Sequence, residues 1–317
     1  MDNRRKKNKN ECGHALSAGL ADISQQHWFH EAMSLPQLFG ILNITEDSFS
    51  DGGRFLAPDA ALAQAEKLIG DGADVLDLGG ASSNPNSEPV PVETEISRLK
   101  PIVEEGKKKG WTISIDSFAP DTQRWAMGEG VDYLNDIQGF PYPEMYSELA
   151  RSGAKLIIMH SVQELGRAQR IETDPETILD RIGAYFDRRV KALTQAGIAR
   201  ERLILDPGMG FFLGAAPEVS LTVLARLSEL KRAFGLPLFV SVSRKGFLRK
   251  LTGRPVSEIG AASLAAEIYA ACHGADIVRT HDPKAIRDAL TIWCHIEARK
   301  SSNSARNVRS DMIGQNL

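Results

Sequence analysis

Eight short apolar runs separated by helix-like stretches constrain this chain more than any other feature, and most of the runs close on a polar residue. They lie at 38–43 (LFGILN), 74–79 (DVLDLG), 112–116 (TISID), 133–136 (YLND), 155–160 (KLIIMH), 202–206 (RLILD), 238–243 (LFVSVS) and 276–281 (DIVRTH). Their apolar character is nearly continuous rather than alternating, as expected of strands buried on both faces in an all-parallel sheet. The intervening segments 58–69, 93–109, 120–128, 143–151, 175–196, 217–234, 256–272 and 283–300 carry apolar residues at three- and four-residue spacing, and most begin at or just after a proline. Eight strands alternating with eight helices predict an α/β fold, a (β/α)8 TIM barrel, whose chemistry sits at the carboxyl ends of the strands. Asn43, Asp116, Asn135, His160, Asp206, Arg279 and His281 would then converge on one mouth.

Such a barrel takes roughly 250 residues, so one domain over 36–300 accounts for most of the 317. The sequence places an amino-terminal extension at 1–35, with the basic run RRKKNKN at 4–10, and a polar carboxyl-terminal tail at 301–317. The basic run reads as a solvated terminus, with an interaction patch as the alternative. Charged residues make up 25% of the chain and the net charge is -3, which argues against a nucleic-acid or membrane-surface role. No apolar core like that of a secretory signal follows the basic run, and the sequence has no run of about 18 apolar residues. Cys12, Cys272 and Cys294 form no CxxC pair, so the expected setting is the cytoplasm and the expected partner a small molecule.

Three loops following strands stand out. The first, 43–53 (NITEDSFSDGG), is too polar and long for a minimal turn; the second, 79–85 (GGASSNP), offers glycines for close backbone approach and the hydroxyls of Ser82 and Ser83 as donors. Each could also be a plain surface turn. The third, 206–211 (DPGMGF), places Asp206 at the end of a buried strand, where a carboxylate needs strong donors. An internal cap is one source of these and a ligand another. Asp116 poses the same question, and two such acids at one mouth suit a ligand edge rich in N–H groups, an aminopyrimidinone for example. Lys245, Arg279 and His281 follow strands seven and eight, the habitual anion site of this barrel, and together read as a clamp. His273 and His295 lie within helices and read as structural; the role of His160 stays open.

Taken together, FGILNITEDSFSDGG (39–53), ISIDSF (113–118), YLNDI (133–137), LILDPGMGF (203–211), SVSRK (241–245) and VRTHD (278–282) resemble dihydropteroate synthase from about 38 to about 290. That family joins 4-aminobenzoate to 6-hydroxymethyl-7,8-dihydropterin diphosphate, giving 7,8-dihydropteroate and pyrophosphate. The resemblance implies Asp116, Asp206 and Lys245 as catalytic residues, with Asn135, Ile137, Met159, Gly210, Phe211, Ser82, Ser83, Ser243, Arg279 and His281 binding substrate. It also implies Asn43 as a ligand of Mg2+, and a homodimer. Ile286, Leu290, Ile292 and Trp293 could supply the dimer's apolar surface or pack the last helix on the barrel. Where the common pattern reads GGESTRP this chain has GGASSNP, and no lysine follows DPG. These changes are similar to the sulfonamide-insensitive Sul group, which implies aromatic bulk that admits a flat carboxylate and obstructs an out-of-plane sulfonyl group. Gly246 and the amino-terminal extension depart even from that group. Alternative readings are a pterin-binding methyltransferase, a Schiff-base aldolase using Lys245, and a non-catalytic pterin-binding paralogue.

Overall fold

The structure, a computed structural model, describes residues 35–45, 58–82, 88–163 and 171–314, with side chains to 299. Eight parallel strands form one sheet in the order β6-β5-β4-β3-β2-β1-β8-β7. They are β1 (Gln37–Asn43), β2 (Val75–Gly79), β3 (Ile113–Asp116), β4 (Tyr133–Asp136), β5 (Lys155–Met159), β6 (Leu203–Asp206), β7 (Phe239–Val240) and β8 (Ile277–Thr280). The remaining seam, between β6 and β7, is joined by a parallel bridge Leu205–Leu238 and a bond from Leu205 N to Pro237 O at 2.9 Å. The result is the expected (β/α)8 barrel, and the unit Pro36–Cys294 contains all of its strands.

The helices are α1 (Pro58–Gly70), α2 (Val92–Lys109), α3 (Pro120–Glu129), α4 (Tyr146–Arg151), α5 (Ile178–Gln195), α6 (Pro217–Ala225), α7 (Leu227–Phe234), α8 (Gly246–Thr252), α9 (Gly260–Cys272) and α10 (Pro283–Gly314). Proline opens α1, α3, α6 and α10, where its missing N–H costs no helical bond. Glycines in the left-handed region stop α2 at Gly110 and α3 at Gly130. Three differences from the sequence expectation concern helices. The span 217–234 breaks at Arg226, whose N–H is shared between Thr222 O and Val223 O, with neither glycine nor proline to mark it. A short helix, α8, fills the interval after β7. The last helix runs on to Gly314 rather than ending at 300. The expected extension over 1–35 lies almost wholly outside the described residues.

Side-chain alternation builds the barrel interior in layers, because successive residues of a strand point to opposite faces. Phe39, Val75, Tyr133, Ile157, Ile204, Phe239 and Ile277 form a buried apolar cluster contributed by seven strands. Phe39 packs edge-on against Tyr133 at 5.0 Å and Phe239 at 5.2 Å. Two residues further along the same strands stand Ile41, Asp77, Asn135, Met159, Asp206, Ser241 and Arg279. The floor of the barrel is therefore greasy, and the next layer toward the carboxyl ends is polar apart from Ile41 and Met159. The alternate residues of the strands, among them Leu38, Leu76, Leu78, Leu134, Leu156, Ile158, Leu203, Leu205 and Val278, join the larger core shared with the helices.

Candidate active site

Arg279, inward-facing on β8, organises the centre of the mouth. Its Nε donates to Asp77 Oδ2 at 2.5 Å and its Nη2 to Asp116 Oδ2 at 2.6 Å, a two-point arrangement that fixes the guanidinium plane. Asn135 Nδ2 donates to the same Asp77 oxygen at 3.4 Å. Asp77 is fully buried, and its Oδ1 has no hydrogen-bond partner among the described residues. Sequence reasoning missed this residue because it looked at strand ends, and Asp77 lies two positions inside β2. An acid in the middle of an apolar strand was the signal available.

A second group surrounds Lys245. A Cβ built on Gly210 would lie 3.7 Å from both Lys245 Cβ and Cδ, and the Lys245 ammonium stands 5.4 Å from the centre of the Phe212 ring. Phe212 packs with Ile137 and Met159, and Phe118 and Phe211 adjoin them. Asp206 accepts Gly208 N–H at 2.8 Å. This turn needs its glycine: Gly208 has φ +77°, and a Cβ there would come within 2.4 Å of His160 O. His160 itself is buried, with Nδ1 at 3.1 Å from Pro207 O and its ring edge-on to Tyr185, so it braces this turn from β5. Asp136 likewise serves the loop, accepting Gln138 N–H at 2.7 Å and Phe140 N–H at 3.0 Å beside Ile137.

The charges of the two groups act on one another. Burial raises Asp206 to about 6, against the Gly208 N–H and the attraction of Lys245 and Arg279. Burial also raises Asp116, assisted by Asp77 and opposed by Arg279 and Lys245. Lys245 is lowered to about 8, first by burial and then by Arg279, although Asp206 and Asp116 favour its charge. Burial works against the charge of Arg279 too, but Asp77 and Asp116 outweigh it and hold the guanidinium protonated. His281 is lowered to about 3 by burial and by the cations Arg244, Arg279 and Lys245. Its Nδ1 lies 3.1 Å from Ser243 Oγ, which also accepts the His281 backbone N–H at 3.3 Å.

Asn43 closes β1 on the rim. A Cβ built on Gly79 would meet its Oδ1 at 3.3 Å and Asp116 Oδ2 at 3.9 Å, so Asn43 and Asp116 flank the same glycine. Among the described residues no group of three or more His, Cys, Asp or Glu could hold a metal ion. Any cation here would be held by an oxygen such as Asn43 Oδ1 together with ligand atoms. Ser82 sits half-buried after Gly79–Gly80, while Ser83 and most of the first loop lie outside the described residues.

Acids that accept N–H groups, cations beside them and an aromatic flank make a site for a flat, donor-rich heterocycle bearing an anion. The family model described as pterin binding enzyme matches residues 39–281. The chain is 59% identical over 255 residues to dihydropteroate synthase type-2 of Escherichia coli, covering 80% of this chain and 94% of that one. The chain belongs to the dihydropteroate synthase family. It is 53% identical to the type-3 synthase of Escherichia coli over 81% of its length and 98% of that enzyme's, which sets it beside the Sul group. The Xanthomonas albilineans dihydropteroate synthase structure with 4-aminobenzoic acid superposes with a TM-score of 0.76 at 35% identity, over 84% of this chain and 94% of that one. No helix among the described residues is long and apolar enough to cross a membrane.

Proposed function

We propose that this synthase grips the pterin ring with Asp116, Asn135, Asp206 and Lys245, directs the diphosphate to Arg279, His281, Ser243 and Asn43, and admits 4-aminobenzoate beside Phe211, Gly210 and Ser82. The observation that carries this reading is the pairing of two poorly solvated acids, Asp116 and Asp206, with Lys245 and Arg279 in one mouth. Ionised, the acids accept pterin N–H groups with strong charge-assisted bonds. Ile137, Met159 and Phe212 exclude water around the ring.

The product is 7,8-dihydropteroate. The methylene carbon–oxygen bond breaks with its electron pair leaving on pyrophosphate, while the electron-rich pterin and the nearby carboxylates stabilise the positive charge left at the methylene. The arylamine nitrogen then attacks, a carbon–nitrogen bond forms, and the surplus nitrogen proton goes to solvent. Arg279 and His281 supply donors where negative charge grows on the leaving group. No covalent nucleophile is needed.

Asn43 fits Mg2+ as a lone protein oxygen, since this ion keeps several waters and takes substrate phosphates rather than a protein cage. Bound there, Mg2+ would offset the charge of the departing diphosphate. The proposed compartment is the cytoplasm, and the proposed assembly a homodimer. Ile286 and Leu290 are buried, so they pack α10 onto the barrel, but Ile292 is 62% and Trp293 37% exposed. Trp293 also lines an apolar groove with Leu264, Ile268 and Tyr269. The deciding experiment follows pyrophosphate release from the pterin diphosphate with and without 4-aminobenzoate. Release is expected to need Mg2+ and to stop on chelation. Release that is indifferent to chelation, or dihydropteroate formation unaffected by Asp206→Ala, would overturn the assignment.

A further inference from the structure

We propose that Gln123, a buried residue of α3, is a positioning residue for the pterin end of the site: its amide ties the chain just after Asp116 to the chain just after Asn135, so that both residues meet the ligand in one fixed relative placement. The proposal rests on the reading that Asp116 and Asn135 hold the pterin. Gln123 is 2% exposed, and its Nε2 donates to Ser117 O at 2.9 Å and to Asp136 Oδ2 at 3.0 Å. A backbone carbonyl can only accept. Each oxygen of Asp136 also faces a backbone N–H, Oδ1 that of Gln138 at 2.7 Å and Oδ2 that of Phe140 at 3.0 Å, so both act as acceptors. The nitrogen of the Gln123 amide must therefore face its two partners, since its oxygen would set acceptor against acceptor.

The two tied points occupy equivalent places. Asp116 and Asn135 are register partners on β3 and β4. Each is followed by the residue that Gln123 holds, Ser117 or Asp136, and then by an apolar residue, Phe118 or Ile137, packed with Met159 and Phe212. Ser117 N–H donates to Asn135 O at 3.0 Å, so with Gln123 in place both polar backbone groups of Ser117 are engaged. On its other side Asp116 is drawn by Arg279 Nη2 at 2.6 Å. The guanidinium fixes the side chain, and the brace fixes the backbone behind it.

The β4 loop needs such support. Gly139 has φ +66° and Phe140, which is not glycine, φ +59°. A left-handed turn of this kind persists only where its surroundings over-determine it. Asp136 holds the turn from within, and Arg189 Nε on α5 donates to Gly139 O at 2.8 Å. Gln123 joins this held turn to the loop of Asp116. The helix itself is secured without the amide, by Ala126 in the core and by the left-handed Gly130 that stops it.

Gln123→Met in the full chain keeps the length of the side chain and removes both donors. Without ligand, amide hydrogen exchange should quicken in both 113–119 and 133–140 by about 10-fold, the worth of one or two net hydrogen bonds, while 203–206 exchanges as in wild type. The KM for pterin diphosphate should rise about 10-fold, below the roughly 100-fold that a 1 Å misplacement can cost, and the KM for 4-aminobenzoate should stay within about twofold. A purely structural loss would instead reduce the amount of active enzyme and leave both KM values alone. Combining Gln123→Met with Asp136→Asn should raise the pterin KM no further than Asp136→Asn alone. Multiplied losses, an unchanged pterin KM, or exchange quickened in one segment only or equally throughout would overturn the proposal. Should Asn135→Ala also leave that KM unchanged, the reading of the pterin site fails, and the exchange result decides the brace by itself. If Gln123→Met does not fold, wild-type protein in urea below its unfolding transition gives the answer: the Ser117, Gln138 and Phe140 amides should open as one unit with a common slope, and separate slopes would refute the tie.

Discussion

Removing Asp77 tests the electrostatic architecture more sharply than removing any residue expected to touch substrate. In Asp77→Ala, Arg279 loses the acceptor at 2.5 Å from Nε and Asn135 loses its acceptor at 3.4 Å, both at a fully buried position. Breaking one side of a buried pair costs about 3–5 kcal/mol when the partner is left alone. Arg279 keeps Asp116 at 2.6 Å and is 13% exposed, so its share falls below that range. A share of about 2–3 kcal/mol, plus about 1 for the stranded Asn135 amide, gives a loss of about 3–4 kcal/mol. Asp77→Asn keeps an oxygen for Arg279 Nε and loses only charge assistance, about 1 kcal/mol. Urea unfolding of the three proteins reads the difference, provided the slopes agree. A second readout is independent of stability. Asp77 raises Asp116, so Asp77→Asn should let Asp116 ionise at lower pH and shift the acid limb of the rate profile downward. An alanine variant within about 1 kcal/mol of wild type, less than a typical buried-network loss, together with an unmoved acid limb, would refute the reasoning.

Three further outcomes follow from the same geometry. For the free enzyme, kcat/KM should form a bell: Asp116 and Asp206, both raised by burial, lose their charge as pH falls, and Lys245, lowered to about 8, loses its charge as pH rises; a flat profile from about pH 5 to 9 would contradict their roles. Gly208→Ala should cost about 3 kcal/mol or more in stability and abolish turnover, combining left-handed strain of about 1–3 kcal/mol with a Cβ only 2.4 Å from His160 O. A soluble, fully active alanine variant would show that the turn has room. Phe211→Ala should increase inhibition by sulfamethoxazole while sparing the KM for pterin diphosphate, since Phe211 borders Gly246 and the apolar flank of the site. Unchanged inhibition would remove the steric account of drug exclusion.

What could be read in the sequence follows from the period of two in a strand. Polar residues that close apolar runs, such as Asn43, Asp116 and Asp206, announce the rim because the continuous apolar run stops at them. Asp77 stands two residues before the end of β2, and the leucines on either side hide it. The burial of Glu267 is not legible either, because an acid on an amphipathic helix ordinarily faces solvent, and this one is buried on α9. The break at Arg226 has no glycine or proline to mark it, whereas the helix after Lys245 ends on a left-handed glycine, Gly253, a signal the strand-and-helix rhythm passed over. In the last helix, the alternatives for 286–293 were separated by burial alone: Ile286 and Leu290 pack inward, while Ile292 and Trp293 remain outside.

These placements have a common logic. Four ionisable groups of the mouth are held with part of their hydration gone, and the shifts show it: Asp116 and Asp206 resist losing a proton, while Lys245 and His281 resist keeping one. Arg279 is the exception, because Asp77 and Asp116 provide its counter-charge within the protein. A site so arranged favours a ligand that brings the missing partners, N–H groups for the acids and phosphate oxygens for the cations. Because the groups are already fixed, little reorganisation remains to be done when charge separates.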